Sequence, residues 1–414
     1  MLSMSPTTPG ARRRGPGGSV AIEAPLQSTV VRIKVAVGDE VHEDTVVAVL
    51  EAMKMEHNVT AGVTGVVHSI AVKETDTVQK GAPLLYIEER EVVVGRAATE
   101  MDIDLDAIRQ DLSEVLQRQA ITKDESRPEA VARRRERGQR TARENIADLC
   151  DPDSFVEYGS LVIAAQRRRR SMEELIERTP ADGLVAGIGR VNGDLFSDEK
   201  ARCAVLAYDY TVLAGTQGHA NHEKKDRMFE IIERLRLPVV FFTEGGGGRP
   251  GDTDAAGVSG LDVMAFALWA RLSGLVPMVG VNSGRCFAGN AALLGCCDVI
   301  IATADSNIGM GGPAMIEGGG LGVYTPEEVG PMSVQVPNGV VDIAVADEAE
   351  AVKVAKQYLS YFQGPIADWE CEDQRLLRNL VPENRRQVYD VRKVINTLSD
   401  TGSVLELRPE WGVG

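Results

Sequence analysis

"EAMKMEHN", residues 51–58, sets one lysine, Lys54, between Met53 and Met55 in a segment otherwise rich in valine and charge. Packing gives this lysine no obvious reason to be there, because the run is too polar for a core. Two readings are open. One is a solvated turn lysine beside two gap-filling methionines. The other is a lysine presented for covalent modification. The flanking sequence decides between them.

Sliding residues 24–51 along the chain by 37 positions (61 − 24) lands them on 61–88 without a gap. Identities fall at Ala24/Ala61, Val30/Val67, Ile33/Ile70, Val35/Val72, Asp39/Asp76, Val41/Val78 and Glu51/Glu88. Both copies alternate apolar and polar residues and carry turn residues before the next run, the pattern of short half-buried strands. Two such sets related by a pseudo-twofold can close into a flattened barrel with few free edges. Lys54 lies in 52–60, which neither copy shares, so this segment is expected to be the hairpin joining the halves. Its tip would project from a rigid all-β body.

With those residues in view, about 19–88 resembles the biotin carboxyl carrier domain of the biotinyl/lipoyl type. Its A-M-K-M attachment signature is matched by Ala52, Met53, Lys54 and Met55. Lipoyl domains carry an acidic or small residue before the lysine, and Met53 argues against lipoate. The resemblance implies covalent biotin on Lys54, added by a biotin protein ligase. His57 is given no role.

Composition bounds the rest. The formal net charge of −16 over 414 residues argues against nucleic acid as a partner. Six cysteines form no C-x-x-C pair, so neither a zinc ribbon nor a disulfide framework is expected, and no metal site is assigned. The adjacent Cys296 and Cys297 read as packed thiols in a reducing, cytoplasmic setting. The most apolar stretch, about 257–282, contains Asp262 and Arg271 and reads as buried core, with no membrane segment. The expected division is a disordered leader at 1–18, a carrier domain at 19–89, a linker and helical connector at 90–150, and an α/β domain at 151–414.

In the connector, Ile108, Leu112, Val115 and Leu116 have helical spacing, and the cluster Asp151–Ser154 ends the helical portion. Beyond it, strands are expected at 203–209, 238–243, 276–281 and 298–303, with helices at 222–236 and about 254–273. This order implies parallel strands, so the glycine run Gly245–Gly248 and the loop "NSGRCFAGN" at 282–290 emerge at the same carboxyl edge. Glycine lets backbone N–H groups approach a ligand with no Cβ in the way. Two such groups converging on one oxygen form an oxyanion hole, each donor contributing roughly 3–4 kcal/mol to the transition state. The alternatives are plain turns or a phosphate loop, but no G-K-[S/T] follows Gly248. "GMGGPA" at 309–314 fits a loose dinucleotide fingerprint, yet Pro313 and "MIEGGGLG" are not expected to continue as a helix.

These loops, with "RGQRTARENIADLCDPDSFVE" at 137–157 and "EKK" at 223–225, resemble the crotonase-like amino-terminal half of acyl-CoA carboxyltransferases. Gly245–Arg249 corresponds to its S-G-G-A-R loop, and Gly284–Gly289 to its G-x-x-x-G-G loop with Ala288 in place of a glycine. The resemblance implies backbone amides of Gly247, Gly248 and Gly289 holding a thioester enolate while CO2 passes from biotin to the alpha carbon. It also implies acyl-CoA contacts from Gly246, Arg249, Gly218, Lys224 and Ala288. ATP and Mg2+ would act only at a partner biotin carboxylase. A second transferase half or subunit is expected, since the sequence stops about where relatives begin theirs, and an oligomer with it. A decarboxylase subunit and a non-catalytic carrier or scaffold stand as alternatives.

Overall fold

In the computed structural model, which describes residues 14–90, 104–254 and 263–412, the runs flanking Lys54 form two four-stranded sheets. The strands are β1 (Val20–Glu23), β2 (Ser28–Ile33), β3 (Glu40–Val41), β4 (Val46–Ala52), β5 (Met55–Thr60), β6 (Gly65–Ile70), β7 (Thr77–Val78) and β8 (Pro83–Glu89). One sheet has the order β1-β8-β6-β3 and the other β5-β4-β2-β7. Adding 37 to β2, β3 and β4 gives the bounds of β6, β7 and β8, so the repeat exchanges the two sheets. Even the bulge repeats: pairing slips between Val30 and Arg32 in one sheet and between Val67 and Ser69 in the other. The sequence comparison stopped short, because β5 is the counterpart of β1 and its last residues belong to the second copy. Repeat-related residues share one buried core, among them Ala24/Ala61, Val30/Val67, Val41/Val78 and Leu50/Ile87. Of the leader, residues 1–13 lie outside the described residues and Pro16–Gly18 form a 3-10 turn.

The chain forms two compact units, Met1–Ala107 and Ile108–Gly414. The second is built on a seven-stranded sheet of order β17-β15-β13-β12-β11-β10-β9. Its strands are β9 (Val156–Glu157), β10 (Leu184–Arg190), β11 (Arg202–Tyr208), β12 (Val239–Phe242), β13 (Met278–Asn282), β15 (Val299–Thr303) and β17 (Ile343–Val345). A small parallel pair, β14 (Arg285–Phe287) and β16 (Asn307–Gly309), stands beside it. From β11 to β17 the main sheet is parallel, as expected; β9 and β10 join antiparallel.

Alternation puts opposite faces of each strand into separate cores. Cys203, Val205, Ala207, Val240 and Phe242 pack under the helices Ala142–Leu149 and Glu348–Gln363. Ala204, Leu206, Tyr208, Val239 and Phe241 pack under His219–Leu235 and Ala265–Arg271. The sheet is thus covered on both faces, the α/β layering the sequence implied.

The T-A-R-E run at 141–144 has a local cause. Thr141 and Glu144 form a reciprocal capping box that starts the helix Ala142–Leu149. With Gln110–Ile121 and Pro128–Glu136, this helix belongs to the second unit, and Ile146 and Leu149 lie in its core. Residues 91–103 of the expected connector, and 255–262 of the expected helix 254–273, lie outside the described residues. Two local expectations are corrected. Pro313 does open a short helix, Pro313–Gly318, because proline at the first turn costs no hydrogen bond. Cys296 is exposed, not packed, one residue past the end of the helix Gly289–Gly295. Among the described residues, no helix is long and apolar enough to cross a membrane.

Candidate functional site

Ala52 pairs with Met55, so β4 and β5 are joined by a two-residue turn of Met53 and Lys54. Both have left-handed backbone, φ 52° and 64°. Such a turn prefers Asn-Gly, and each non-glycine residue in that region costs about 1–3 kcal/mol. Strain kept at an exposed tip points to a use for these side chains. Met53 is 96% exposed, Lys54 is exposed, and no described residue accepts a hydrogen bond from the Lys54 amine. A long amine at the apex of a rigid hairpin fits a covalently attached group.

The two glycine loops follow β12 and β13 at the carboxyl edge, where parallel strands place them. They pair with each other: Gly245 N–H donates to the Arg285 carbonyl at 2.7 Å and Phe287 N–H to that of Gly245 at 3.0 Å. A Cβ at Gly247, whose φ is +87°, would sit 2.7 Å from that of Ala288. The loops therefore touch, and only glycine fits there. Ala288 itself is held at φ 50° and ψ −119°, a strained backbone at the position where the resemblance places a glycine.

The amides divide into used and unused. Gly246 N–H donates to the Ala214 carbonyl at 3.0 Å, and Gly247 N–H to Asn290 Oδ1 at 3.1 Å. Gly247 is thereby corrected: its amide is buried and already paired. The Gly248 and Gly289 amides have no acceptor among the described residues. A Cβ at Gly248 would meet no described heavy atom within 4 Å, so that residue faces open space.

Three of the expected acyl-CoA contacts prove to be internal supports. The Arg249 guanidinium is 4% exposed; it donates to Asp182 Oδ1 at 2.5 Å, to Thr216 Oγ1 at 3.1 Å and to the Thr216 carbonyl at 2.7 Å. Gly218 is where this clasp passes: a Cβ there would lie 2.3 Å from Arg249 Nη1 and from Asp252 Oδ2. Lys224 points inward, donating to the carbonyls of Leu184 and Ala181. Burial pulls its pKa down to about 8, against the pull of Glu157 and Asp182. A helix packed on a sheet turns its stripe inward whatever residues occupy it, and Lys224 is on that stripe. Among the described residues, no group of three or more His, Cys, Asp or Glu could hold a metal ion.

Behind the loops lies a cluster that the sequence reading missed. Lys225 is fully buried, with Nζ 2.8 Å from Tyr208 Oη and 2.7 Å from Gln217 Oε1. Gln217 Nε2 donates to Asn290 Oδ1 at 3.0 Å. One signal existed: Asn221, Lys225, Met228 and Ile232 fall on one helical stripe, which sets a lysine among core positions.

A carboxyl transferase domain is matched over residues 133–414, and a biotin-requiring enzyme domain over 20–87. The chain belongs to the carboxyl transferase family. A solved single-chain, multi-domain long-chain acyl-CoA carboxylase is 54% identical, with a TM-score of 0.71, over 98% of this chain and 38% of its own. The methylmalonyl-CoA carboxyltransferase 12S subunit of Propionibacterium freudenreichii subsp. shermanii is 29% identical over 67% of this chain and 52% of its own. A propionyl-CoA carboxylase beta chain of Saccharopolyspora erythraea is 28% identical over the same shares, 67% and 52%. The chain therefore spans about half the length of these curated relatives. Family membership accounts for both units: the all-β one is the biotin-requiring domain, and the α/β one carries the transferase fold with its paired glycine loops.

Proposed function

We propose that this chain carries biotin on Lys54 and supplies the half-site that holds the thioester oxygen of an acyl-CoA during carboxylation of its alpha carbon. One observation carries the reading. Two backbone amides, of Gly248 and Gly289, have no acceptor among the described residues, they lie on loops that touch, and a Cβ at Gly248 would meet no described atom within 4 Å. Such donors stabilise an oxygen that gains charge, and they need no side-chain base. Attached biotin supplies the transferable carboxyl group. Gly248 and Gly289 orient the oxygen, while Gly246, Gly247 and Ala288 hold the loops in register. Tethering carrier and half-site on one chain raises the effective concentration of one at the other.

The substrate we assign is a long-chain acyl-CoA, supported by the 54% identity to a carboxylase of that description. The partners are a biotin carboxylase using ATP and Mg2+, a second transferase half on another subunit or on further length of the same polypeptide, and a biotin protein ligase, all in the cytoplasm. The exposed Phe362, Trp369, Val388, Leu398 and Trp411 support a large apolar interface and an oligomer. The test is an assembled complex given ATP, Mg2+, labelled bicarbonate and acetyl-, propionyl- or palmitoyl-CoA. Label entering palmitoyl-CoA with the highest kcat/KM supports the assignment. Sodium-stimulated loss of CO2 without ATP would replace it with a decarboxylase.

A further inference from the structure

Asn290 sits in the first turn of the helix Gly289–Gly295, fully buried, with all of its side-chain hydrogen-bonding capacity spent. Its Oδ1 accepts from Gly247 N–H at 3.1 Å and from Gln217 Nε2 at 3.0 Å. Its Nδ2 donates to the carbonyls of Gly215 at 3.3 Å and Thr243 at 3.2 Å. These partners belong to different parts of the unit: Thr243 follows β12, Gly247 is in the first glycine loop, and Gly215 precedes the helix His219–Leu235. Asn290 itself opens the element that carries Gly289.

The orientation of this amide is fixed from both sides. Two backbone carbonyls hold Nδ2, so Oδ1 must face Gly247 and Gln217. Gln217 then has to present Nε2 to Asn290 and Oε1 to the far side, where Lys225 Nζ donates to it. A reversed Gln217 would set its Oε1 against Asn290 Oδ1, acceptor against acceptor. The cluster is tightly fitted as well. A Cβ at Gly245 would lie 2.1 Å from Asn290 Nδ2, and one at Gly289 3.2 Å from Gln217 Nε2. Burying a lysine side chain costs stability, and Tyr208 Oη and Gln217 Oε1 are neutral partners. A residue kept at such a cost beneath a site, rather than in it, is one whose position matters.

We infer that Asn290, locked by the Gln217–Lys225 pair behind it, is the positioning residue of the thioester-oxygen site and sets the separation of the Gly248 and Gly289 amides. The inference rests on reading those amides as that site. Asn290 touches no substrate. It uses up the Gly247 N–H, leaving the next amide, of Gly248, without an acceptor among the described residues, and it ties that loop to the turn bearing Gly289. Donors fixed before the substrate arrives need not reorganise when charge develops.

Two readouts test this on the full chain. Amide hydrogen exchange of the 243–249 segment needs no activity, and kcat and KM are measured in the assembled complex. With Asn290→Ala, the Gly247 amide should lose its protection. The kcat should fall about 100-fold with KM for the acyl-CoA little changed, the size expected when a reacting geometry shifts by about 1 Å. Lys225→Met, which keeps length and removes the donor, should give the same two effects in smaller measure, roughly 10-fold in kcat, and it remains informative if Asn290→Ala does not fold. Exchange at Gly247 that stays slow, or a kcat equal to that of the parent, overturns the inference. So does a kcat loss matched by a KM rise with Gly247 still protected, because the effect would then not pass through that amide. If the parent complex carboxylates no acyl-CoA, the reading of the site fails instead, and that result is separate from any variant.

Discussion

The hairpin tip at 53–54 and the glycine loops at 245–249 and 283–289 both present a reactive edge, by opposite means. At the tip the proposed function works through a side chain, and a two-residue turn holds Lys54 exposed. In the loops the proposed donors are backbone amides, carried by glycines, with a dense polar cluster of Gln217, Lys225 and Asn290 packed beneath. The two edges should therefore respond differently to mutation. The tip is sensitive at one side chain and tolerant of small changes around it. The loops are sensitive to backbone position and to buried groups that never meet a ligand.

The largest expected effect is at the tip. Lys54→Arg keeps the charge and the turn but removes the primary amine, so biotin added by a ligase should fall to nothing. Intact mass after co-expression with a biotin ligase reads this directly, and carboxylation by the complex should vanish with it. Thermal stability should not change, because the Lys54 side chain is exposed. Residual labelling of this variant would show that another lysine is the carrier and break the comparison at its first term.

Adjacent glycines in the first loop give the next effect. Gly248→Val directs its Cβ into open space, so the protein should fold normally while turnover drops roughly 100- to 1,000-fold, the loss expected for one oxyanion donor. Gly247→Val should behave differently. Its Cβ would press on Ala288 at 2.7 Å from a backbone of φ +87°, so stability is lost first. Melting temperature and kcat, measured on both, separate a glycine needed for access from one needed for closure. If both variants unfold alike, the open face at Gly248 is structural as well.

This contrast also explains what was legible in the sequence. The carrier was readable because it is written twice: the 37-residue shift exposes strands, bulge and core pairs together. In the transferase unit, the strands β11, β12, β13 and β15 were readable as apolar runs between glycine loops. The short β9, β14, β16 and β17 carry too few residues for a period to show, and in β10 two glycines, Gly187 and Gly189, interrupt the apolar run. The amides of Gly248 and Gly289 stood out as candidates because glycine marks them. Asn290 and Gln217, 73 positions apart, carry no local mark, since what defines them is a hydrogen bond across the fold. Lys224 was expected at the acyl-CoA through the resemblance alone, and its inward contacts with the Leu184 and Ala181 carbonyls likewise carry no local mark.

Lys224 therefore supplies the smallest effect and the sharpest distinction from Lys54. Burial holds its folded-state pKa at about 8, below the ordinary lysine value of 10.5. Between those limits the unfolded chain binds a proton that the folded chain does not, so raising the pH favours folding there. Below pH 8 both states are protonated and the full cost of the buried charge is present; above 10.5 it is gone. Lys224→Met removes this titration. Denaturant stability of the parent, relative to the variant, should rise as the pH goes from about 8 to 10.5 and stay level from 6 to 7.5. Taking the difference between the two proteins cancels the other alkaline titrations, including the buried Tyr208 and the half-buried Cys297. KM for the acyl-CoA should be the same in both. A flat difference curve together with a raised KM would place the amine at the ligand after all, and the buried supports would end one residue earlier than the geometry puts them.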